Sequence, residues 1–222
     1  MAQDDDRTAA ARRALIRHIE RLAAQASRQV YDTVEAPGIL DSIAAIPREQ
    51  FVPTEASCAA YHDEPLAIGY GQTISQPFIV ALMTGLLRPN AAQRILEIGT
   101  GSGYQAAVLS RLVAHVYSIE IVAPLAERAK TKLAELGVSN VSVRVGDGHK
   151  GWPEAAPFDG IIVTAAADAV PEALVSQLAV GGRLVIPLGT RAQMLVVIER
   201  HADGTTSTTN VIPVRFVPFV AG

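Results

Sequence analysis

The stretch Leu96–Ala107, L-E-I-G-T-G-S-G-Y-Q-A-A, constrains what this chain can fold into more than any other. An apolar run (Ile95, Leu96, Ile98) leads into glycines at alternate positions, Gly99, Gly101 and Gly103. A helical pattern follows at once through Ala106, Ala107, Val108, Leu109 and Leu112. That is a strand, a tight turn and a helix. Glycine is needed where φ is positive or where a ligand presses on the backbone. A helix N-terminus just past such a turn presents free N–H donors to a hydrogen-bond acceptor.

The next strand, Val116 to Ile119, ends in Glu120. An acidic residue about 20 residues beyond the first glycine, at the tip of the second strand, is placed to grip a ribose hydroxyl pair. The dinucleotide fingerprint G-x-G-x-x-G is a poor match: its sixth position is Tyr104, and the third glycine comes one residue early. A G-x-G-x-G turn after the acidic Glu97 looks instead like the nucleoside-binding turn of Rossmann-like methyltransferases that use S-adenosylmethionine. That cofactor carries a ribose, an adenine and an amino-acid tail but no phosphate. A glycine turn without a ligand is the competing reading, and the agreement of strand, turn, helix and downstream acid weighs against it.

A chain of 222 residues is long enough for one sizeable α/β domain. Nearly half of it is apolar with few aromatics, which suits helices packed over buried parallel strands. A net charge of −3 gives no global attraction to nucleic acid. Cys58 is the single cysteine, so no disulfide framework is expected. The five histidines show no metal-ligand spacing, and no metal is expected. The N-terminus has no apolar core of signal-peptide length and no apolar run approaches membrane-spanning length, so a cytoplasmic protein with no membrane partner is the expectation.

Residues 1 to about 7 are polar and expected to fray. From Thr8 to about Val30, apolar residues at Leu15, Ile19, Leu22, Ala26 and Val30 predict one helix. Its stripe of Arg13, Arg17 and Arg21 reads as a solvated face in preference to a site for an anionic partner. A second short helix is predicted over Ile39 to Ile46, between Pro37-Gly38 and Pro47. Ala59 to Pro77 shows no sustained period and reads as a long, apolar-rich loop, usually a functional feature in a compact domain. Phe78 to Leu87 is helical again.

Beyond it the pattern alternates. Strand Ile95–Ile98 precedes helix Tyr104–Leu112, strand Val116–Ile119 precedes helix Pro124–Leu136, and strand Val141–Val145 follows. Strand Phe158–Val163 precedes helix Pro171–Leu178, and Gly181-Gly182 turns into strand Arg183–Leu188. Such alternation predicts a parallel sheet with right-handed crossovers. Met194–Glu199 and Thr206–Val211, with Asp203-Gly204 between them, predict a closing antiparallel hairpin.

In open parallel sheets, ligands bind at the carboxyl ends of the strands. Glu97 and the Gly99–Gly103 turn follow the first strand, Glu120 the second, and Asp147, between Gly146 and Gly148, the third. A carboxylate there can accept from the exocyclic N–H of adenine, although an Asp between glycines is also a common turn former. Enzymes that methylate adenine amino nitrogens usually place Asn/Asp-Pro-Pro-Tyr/Phe after the fourth strand. This chain has Thr164-Ala165-Ala166-Ala167, without a base-stacking aromatic. The remaining candidate is Gln72-Thr73-Ile74-Ser75-Gln76-Pro77, with two hydroxyls. From the residues alone, a cap for the helix near Pro77 and a catalytic hydroxyl are equally good readings.

Several longer stretches recur in one family. They are R-E-Q-F-V-P at 48–53, Y-H-D-E-P-L-A-I-G-Y-G-Q-T-I-S-Q-P at 61–77 and the glycine turn at 96–107. They continue with G-D-G-H-K-G-W-P at 146–153, F-D-G-I-I-V-T-A-A at 158–166, G-G-R-L-V-I-P-L-G at 181–189 and V-R-F-V-P-F at 214–219. In them the chain resembles the protein-L-isoaspartate (D-aspartate) O-methyltransferases over nearly its whole length. The resemblance implies an α/β class, Rossmann-like S-adenosylmethionine-dependent methyltransferase fold, mostly parallel with a C-terminal antiparallel hairpin. It implies an N-terminal helical extension and substrate-side loop over residues 1–90 and a cofactor-binding core over 91–222, in one compact domain.

The resemblance further implies S-adenosyl-L-methionine as cofactor. The implied acceptor is the free carboxylate of L-isoaspartyl, and less well D-aspartyl, residues in damaged proteins or peptides. The methyl ester then closes to a succinimide without the enzyme. The catalytic role falls to Ser75. Cofactor contacts fall to Ile74, Gln76, Glu97, Gly99, Thr100, Gly101, Ser102, Gly103, Glu120, Asp147 and Gly148. Substrate contacts fall to Thr73, Ser75, Val214, Arg215 and Phe216. A monomer is expected. The chain departs from the family in one place: many members read I-S-A-P-H-M-H-A, where Ile74–Ala81 reads I-S-Q-P-F-I-V-A without histidines. Three other readings stay open: a same-fold carboxyl methyltransferase with a dedicated peptide or small-molecule substrate, a nicotinamide oxidoreductase, and a non-catalytic cofactor sensor.

Overall fold

The computed structural model describes residues 2–222, with side chains from Arg7 onward. Helix α1 covers Ala2–Ala26 and α2 covers Arg28–Val34. The single helix expected across Thr8–Val30 is broken at Ser27, which is extended and whose Oγ accepts the Val30 N–H at 3.2 Å as an N-cap. Fraying was expected over residues 1–7; the backbone is already helical from Ala2, and Met1 lies outside the described residues. Helix α3 (Ile39–Ala45) and helix α4 (Pro77–Leu86) follow. Every residue of α4 is buried, the mark of a helix enclosed by its neighbours.

The expected loop over 59–77 holds a small antiparallel hairpin, β1 (Leu66–Gly69) paired with β2 (Gln72–Ile74). Its reversal runs through Gly69, Tyr70 and Gly71, all with positive φ, so two of three left-handed positions fall to the residue that tolerates them. A period-2 pattern over three or four residues is too short to register in sequence.

The main sheet contains β3 (Arg94–Ile98), β4 (His115–Glu120), β5 (Val141–Val145), β6 (Phe158–Val163), β7 (Leu178–Leu188), β8 (Gln193–Arg200) and β9 (Thr206–Val214). Its spatial order is β5-β4-β3-β6-β7-β8-β9. The first five strands in that order run parallel, and β8 and β9 are antiparallel to their neighbours. The predicted hairpin is therefore the end of a three-strand antiparallel meander. Gly181-Gly182, expected as a turn, lie within β7, where the pairing to β6 shifts register after Phe158↔Leu178.

Helices α5 (Tyr104–Ser110), α6 (Ala123–Glu135) and α7 (Glu172–Ser176) connect the parallel strands. Side chains alternate across β3. Ile95 packs with Ile19, Ile43, Leu82 and Val108, a cluster built from α1, α3, α4 and α5. Leu96 and Ile98 pack on the opposite face with Phe158, Leu174 and Leu184. In register, Ile98 stands opposite Ile119 of β4 and Val163 of β6, so these strands finish side by side. No helix among the described residues is long and apolar enough to cross a membrane.

Candidate active site

The carboxyl ends of β3, β4 and β6 open into a cleft of about 800 Å³, part of it open to solvent. The glycine turn forms its floor. Gly99 has φ of 92° and Gly101 of 52°, and a Cβ on Gly99 would collide with Thr164 Oγ1. Thr164 uses that hydroxyl to donate to the Gly99 carbonyl at 2.8 Å, so the turn is bolted to the end of β6. The Gly99 N–H donates to the Ile119 carbonyl at 2.8 Å, which bolts it to β4 as well.

Two carboxyl groups lie beneath and beside this turn. Glu120 ends β4 and is 5% exposed. Its Oε2 accepts the Gly101 N–H at 2.7 Å and its Oε1 accepts the Val122 N–H at 2.9 Å. Each oxygen keeps a second lone pair, so the group can still accept from two hydroxyls in the cleft. Glu97 is fully buried below the turn and does not line the cleft. Its Oε2 accepts from Ser118 Oγ, which lies 2.6 Å from Thr100 Oγ1, while its Oε1 has no partner among the described residues. Burial pushes its pKa up to about 8; the Ser118 bond opposes this, and the nearby Glu120 adds to it. Near pH 7 this group is largely a neutral acid tying the turn to β4.

Asp147 follows β5 and caps a short 3-10 turn over Gly148–Lys150. Its Oδ1 accepts the His149 N–H at 3.0 Å. Burial pulls its pKa up, but the His149 backbone and ring, with Lys150, outweigh that and hold it below the ordinary value. The His149 ring stacks on Phe219 with centroids 3.9 Å apart. Phe219 also covers Gly148, which itself lines the cleft.

The opposite wall comes from two segments outside the parallel strands. One is the hairpin exit Gln72–Ser75. Ser75 is half-buried and faces the cleft, and its hydroxyl makes no hydrogen bond among the described residues. Gln76 turns away and donates to Asp63 Oδ2 at 3.2 Å. The other segment is Val217–Val220. It is held by a bridge in which the Ala166 N–H donates to Val217 O and the Phe219 N–H donates to Ala166 O, both at 2.8 Å. Just before it, the Gln193 side chain grips Phe216, accepting its N–H at 2.6 Å and donating to its carbonyl at 3.1 Å.

The profile described as Protein-L-isoaspartate(D-aspartate) O-methyltransferase matches residues 16–222. The chain belongs to the protein-L-isoaspartate (D-aspartate) O-methyltransferase family.

Within that family it is 49% identical over 220 residues to Protein-L-isoaspartate O-methyltransferase 2 of Syntrophobacter fumaroxidans, covering 98% of this chain and 89% of that one. It is 56% identical over 183 residues to Protein-L-isoaspartate O-methyltransferase of Anaeromyxobacter dehalogenans strain 2CP-1, covering 81% and 88%. A solved protein-L-isoaspartate O-methyltransferase is 31% identical with a TM-score of 0.80, over 95% of this chain and 66% of that chain. A Plasmodium falciparum structure with S-adenosyl-L-homocysteine is 22% identical with a TM-score of 0.77, over 93% and 97%, and shows the shared fold. The chain is an S-adenosylmethionine-dependent methyltransferase.

The cleft fits that cofactor. Glu120 is the one charged side chain lining it among the described residues. A sulfonium cation meets no repelling cation there, and a pyrophosphate would find no cation to pair with. The structure brings Thr73, Ile74, Ser75, Gly99, Thr100, Gly101, Ser102, Glu120 and Gly148 to the cleft. Gln76, Glu97, Gly103, Asp147, Val214, Arg215 and Phe216 sit behind or beside it. Phe219, Val220, Tyr104, Gln105 and Val80 line it without having been named as site residues. Val80, in the segment that departs from the resemblance, gives the cleft an apolar surface at that point.

Proposed function

We propose that this methyltransferase acts on the free carboxylate of L-isoaspartyl, and less well D-aspartyl, residues in damaged proteins and peptides, with Ser75 as the residue that orients the accepting oxygen. S-adenosylmethionine supplies a methyl already activated on a sulfonium. A carboxylate is already ionised at pH 7, so no general base is required. The protein's work is to align the reacting groups and exclude water. The observation that carries the reading is the Ser75 hydroxyl, unpartnered among the described residues, facing a cleft with no cationic side chain. A neutral donor orients a carboxylate oxygen without quenching its charge.

On the nucleoside side, the spare lone pairs of Glu120 suit ribose hydroxyls, and Ile121 and Gly148, which line the cleft nearby in sequence, suit the adenine ring. Asp147 supports Gly148 by fixing the turn after β5. On the substrate side, Gln193 satisfies Phe216, while the Arg215 backbone and the Val217 N–H make no hydrogen bond among the described residues. Alternate free backbone groups suit pairing with an extended peptide of any sequence.

The test is methyl transfer from labelled S-adenosylmethionine to paired peptides that differ only in isoaspartyl against aspartyl at one position. Base-labile label on the isoaspartyl peptide alone is expected. Label on neither peptide would move the substrate to a dedicated carboxylate of another kind.

A further inference from the structure

A helix that opens on Pro77 has its first N–H donor at Phe78, because proline carries none. The N-cap residue, Gln76, makes no side-chain cap. The donor is satisfied from 15 residues upstream: Asp63 Oδ1 accepts the Phe78 N–H at 2.7 Å. Its other oxygen accepts Gln76 Nε2 at 3.2 Å. The Ser75 hydroxyl, three residues before Phe78, stands at the spacing of the local side-chain bond that would otherwise satisfy that donor.

Asp63 is itself fixed from elsewhere. The fully buried Arg48 donates from Nε to the Ala60 carbonyl at 2.8 Å and from Nη2 to the Glu64 carbonyl at 3.2 Å. Those two bonds bracket the segment that carries Asp63. The same guanidinium lies 5.2 Å over the ring of Tyr104, which lines the cleft. The position of the cap is thus set by the core and not by the hairpin exit.

We propose that Asp63 is a positioning residue that takes the α4 cap and so leaves the Ser75 hydroxyl available to the substrate carboxylate. The proposal rests on the role of Ser75 argued above. Without the Asp63 carboxylate, the Phe78 N–H draws the Ser75 oxygen toward itself, and the hydroxyl turns out of line.

The experiment is a double-mutant cycle of Asp63→Ala and Ser75→Ala, read as kcat on an isoaspartyl peptide, with S-adenosylhomocysteine affinity measured by calorimetry. Asp63→Ala is expected to lower kcat by about 10- to 100-fold, the usual scale for a misplaced reacting group. Cofactor affinity should stay within about twofold. In the Ser75→Ala background, Asp63→Ala should cost no further kcat. An equal fall in both backgrounds overturns the proposal while leaving Ser75 catalytic. An unchanged kcat in Ser75→Ala alone removes Ser75 itself and the proposal with it. Asp63→Asn carries the test if the alanine variant does not fold. Its oxygen can still accept the Phe78 N–H, so kcat within a few-fold of wild type is expected, and a loss as large as that of Ser75→Ala overturns the cap role.

Discussion

On the floor of the cleft, the glycine turn and Glu120, with Glu97 buried beneath them, grow directly out of β3 and β4, strands joined by backbone bonds. On the facing wall, Gln72–Ser75 and Val217–Val220 lie outside those strands, and side chains from elsewhere in sequence hold the residues beside them: Asp63 at Gln76 and Phe78, Gln193 at Phe216, and the Arg48 that fixes the Asp63 segment. Arg128 of α6 does the same for the hairpin, donating to the Ile68 carbonyl at 3.1 Å. The floor is locked twice at the turn, to β4 and to the end of β6, and twice at Glu120. The wall draws its support from scattered partners: Asp63 and Gln193 each make two side-chain bonds beside it, and Ala166 bridges Val217 and Phe219. That division suits a protein that takes one constant cofactor and many different polypeptides.

If the floor is as tightly determined as this contrast holds, its burial should show as the largest effect. Glu97 has a folded-state pKa near 8 against an ordinary value of 4.5, raised chiefly by burial. Between those values the folded protein holds a proton that the unfolded chain has lost. Stability therefore falls as pH rises through that window, by up to about 1.4 kcal/mol per pH unit for one proton. Denaturant titrations at several pH values should show this slope in wild type and its loss in Glu97→Gln. Parallel curves for the two proteins would mean that Glu97 is not held neutral.

Gly99→Ala tests the floor sterically. A left-handed φ costs an alanine about 1–2 kcal/mol, and forcing a methyl into packed surroundings costs about 1–3 kcal/mol more. A drop of about 2–5 kcal/mol is expected, together with loss of calorimetric cofactor binding. Retained binding would show that the turn can shift off Thr164. Next in size is Glu120→Ala, which should weaken cofactor binding by about 1–3 kcal/mol, the scale of a hydrogen bond to a charged group. Unchanged affinity would remove Glu120 from ribose recognition.

The same contrast explains what was legible in the sequence. The floor is local: Ile95 to Leu112 spells strand, turn and helix in one stretch, and Glu120 follows at the tip of the next strand. Both could be placed before any fold was known. The wall is not local. Nothing near Phe78 announces that its cap comes from Asp63, except that Pro77 opens the helix and Gln76 is a poor N-cap. The hairpin at 66–74 is too short for its period to stand out, and its glycines read equally well as loop. Ser27 was hidden for another reason: the apolar period runs through it, and only its capping bond breaks the helix. Ser75 could be read from residues alone as a cap or as a catalytic group. The structure gives the Phe78 N–H to Asp63, so the Ser75 hydroxyl does not serve as that cap.

The smallest effect is expected on the wall, and it should appear in a different observable. Gln193→Ala removes both bonds to the Phe216 backbone. The site is half-buried, so water can replace part of what is lost, and a stability cost of about 1 kcal/mol is expected. The bridge between Ala166 and Val217–Phe219 remains, so the end of the wall beside Gly148 should keep its place and cofactor affinity should hold. What loosens is the extended segment at 215–217. The KM for isoaspartyl peptides should rise several-fold while kcat changes little. Gln193→Glu keeps an acceptor for the Phe216 N–H but no donor for its carbonyl, and should recover part of the loss. If KM stays at the wild-type value in Gln193→Ala, the segment is held by the strand and the Ala166 bridge alone. The wall would then be as firmly determined as the floor.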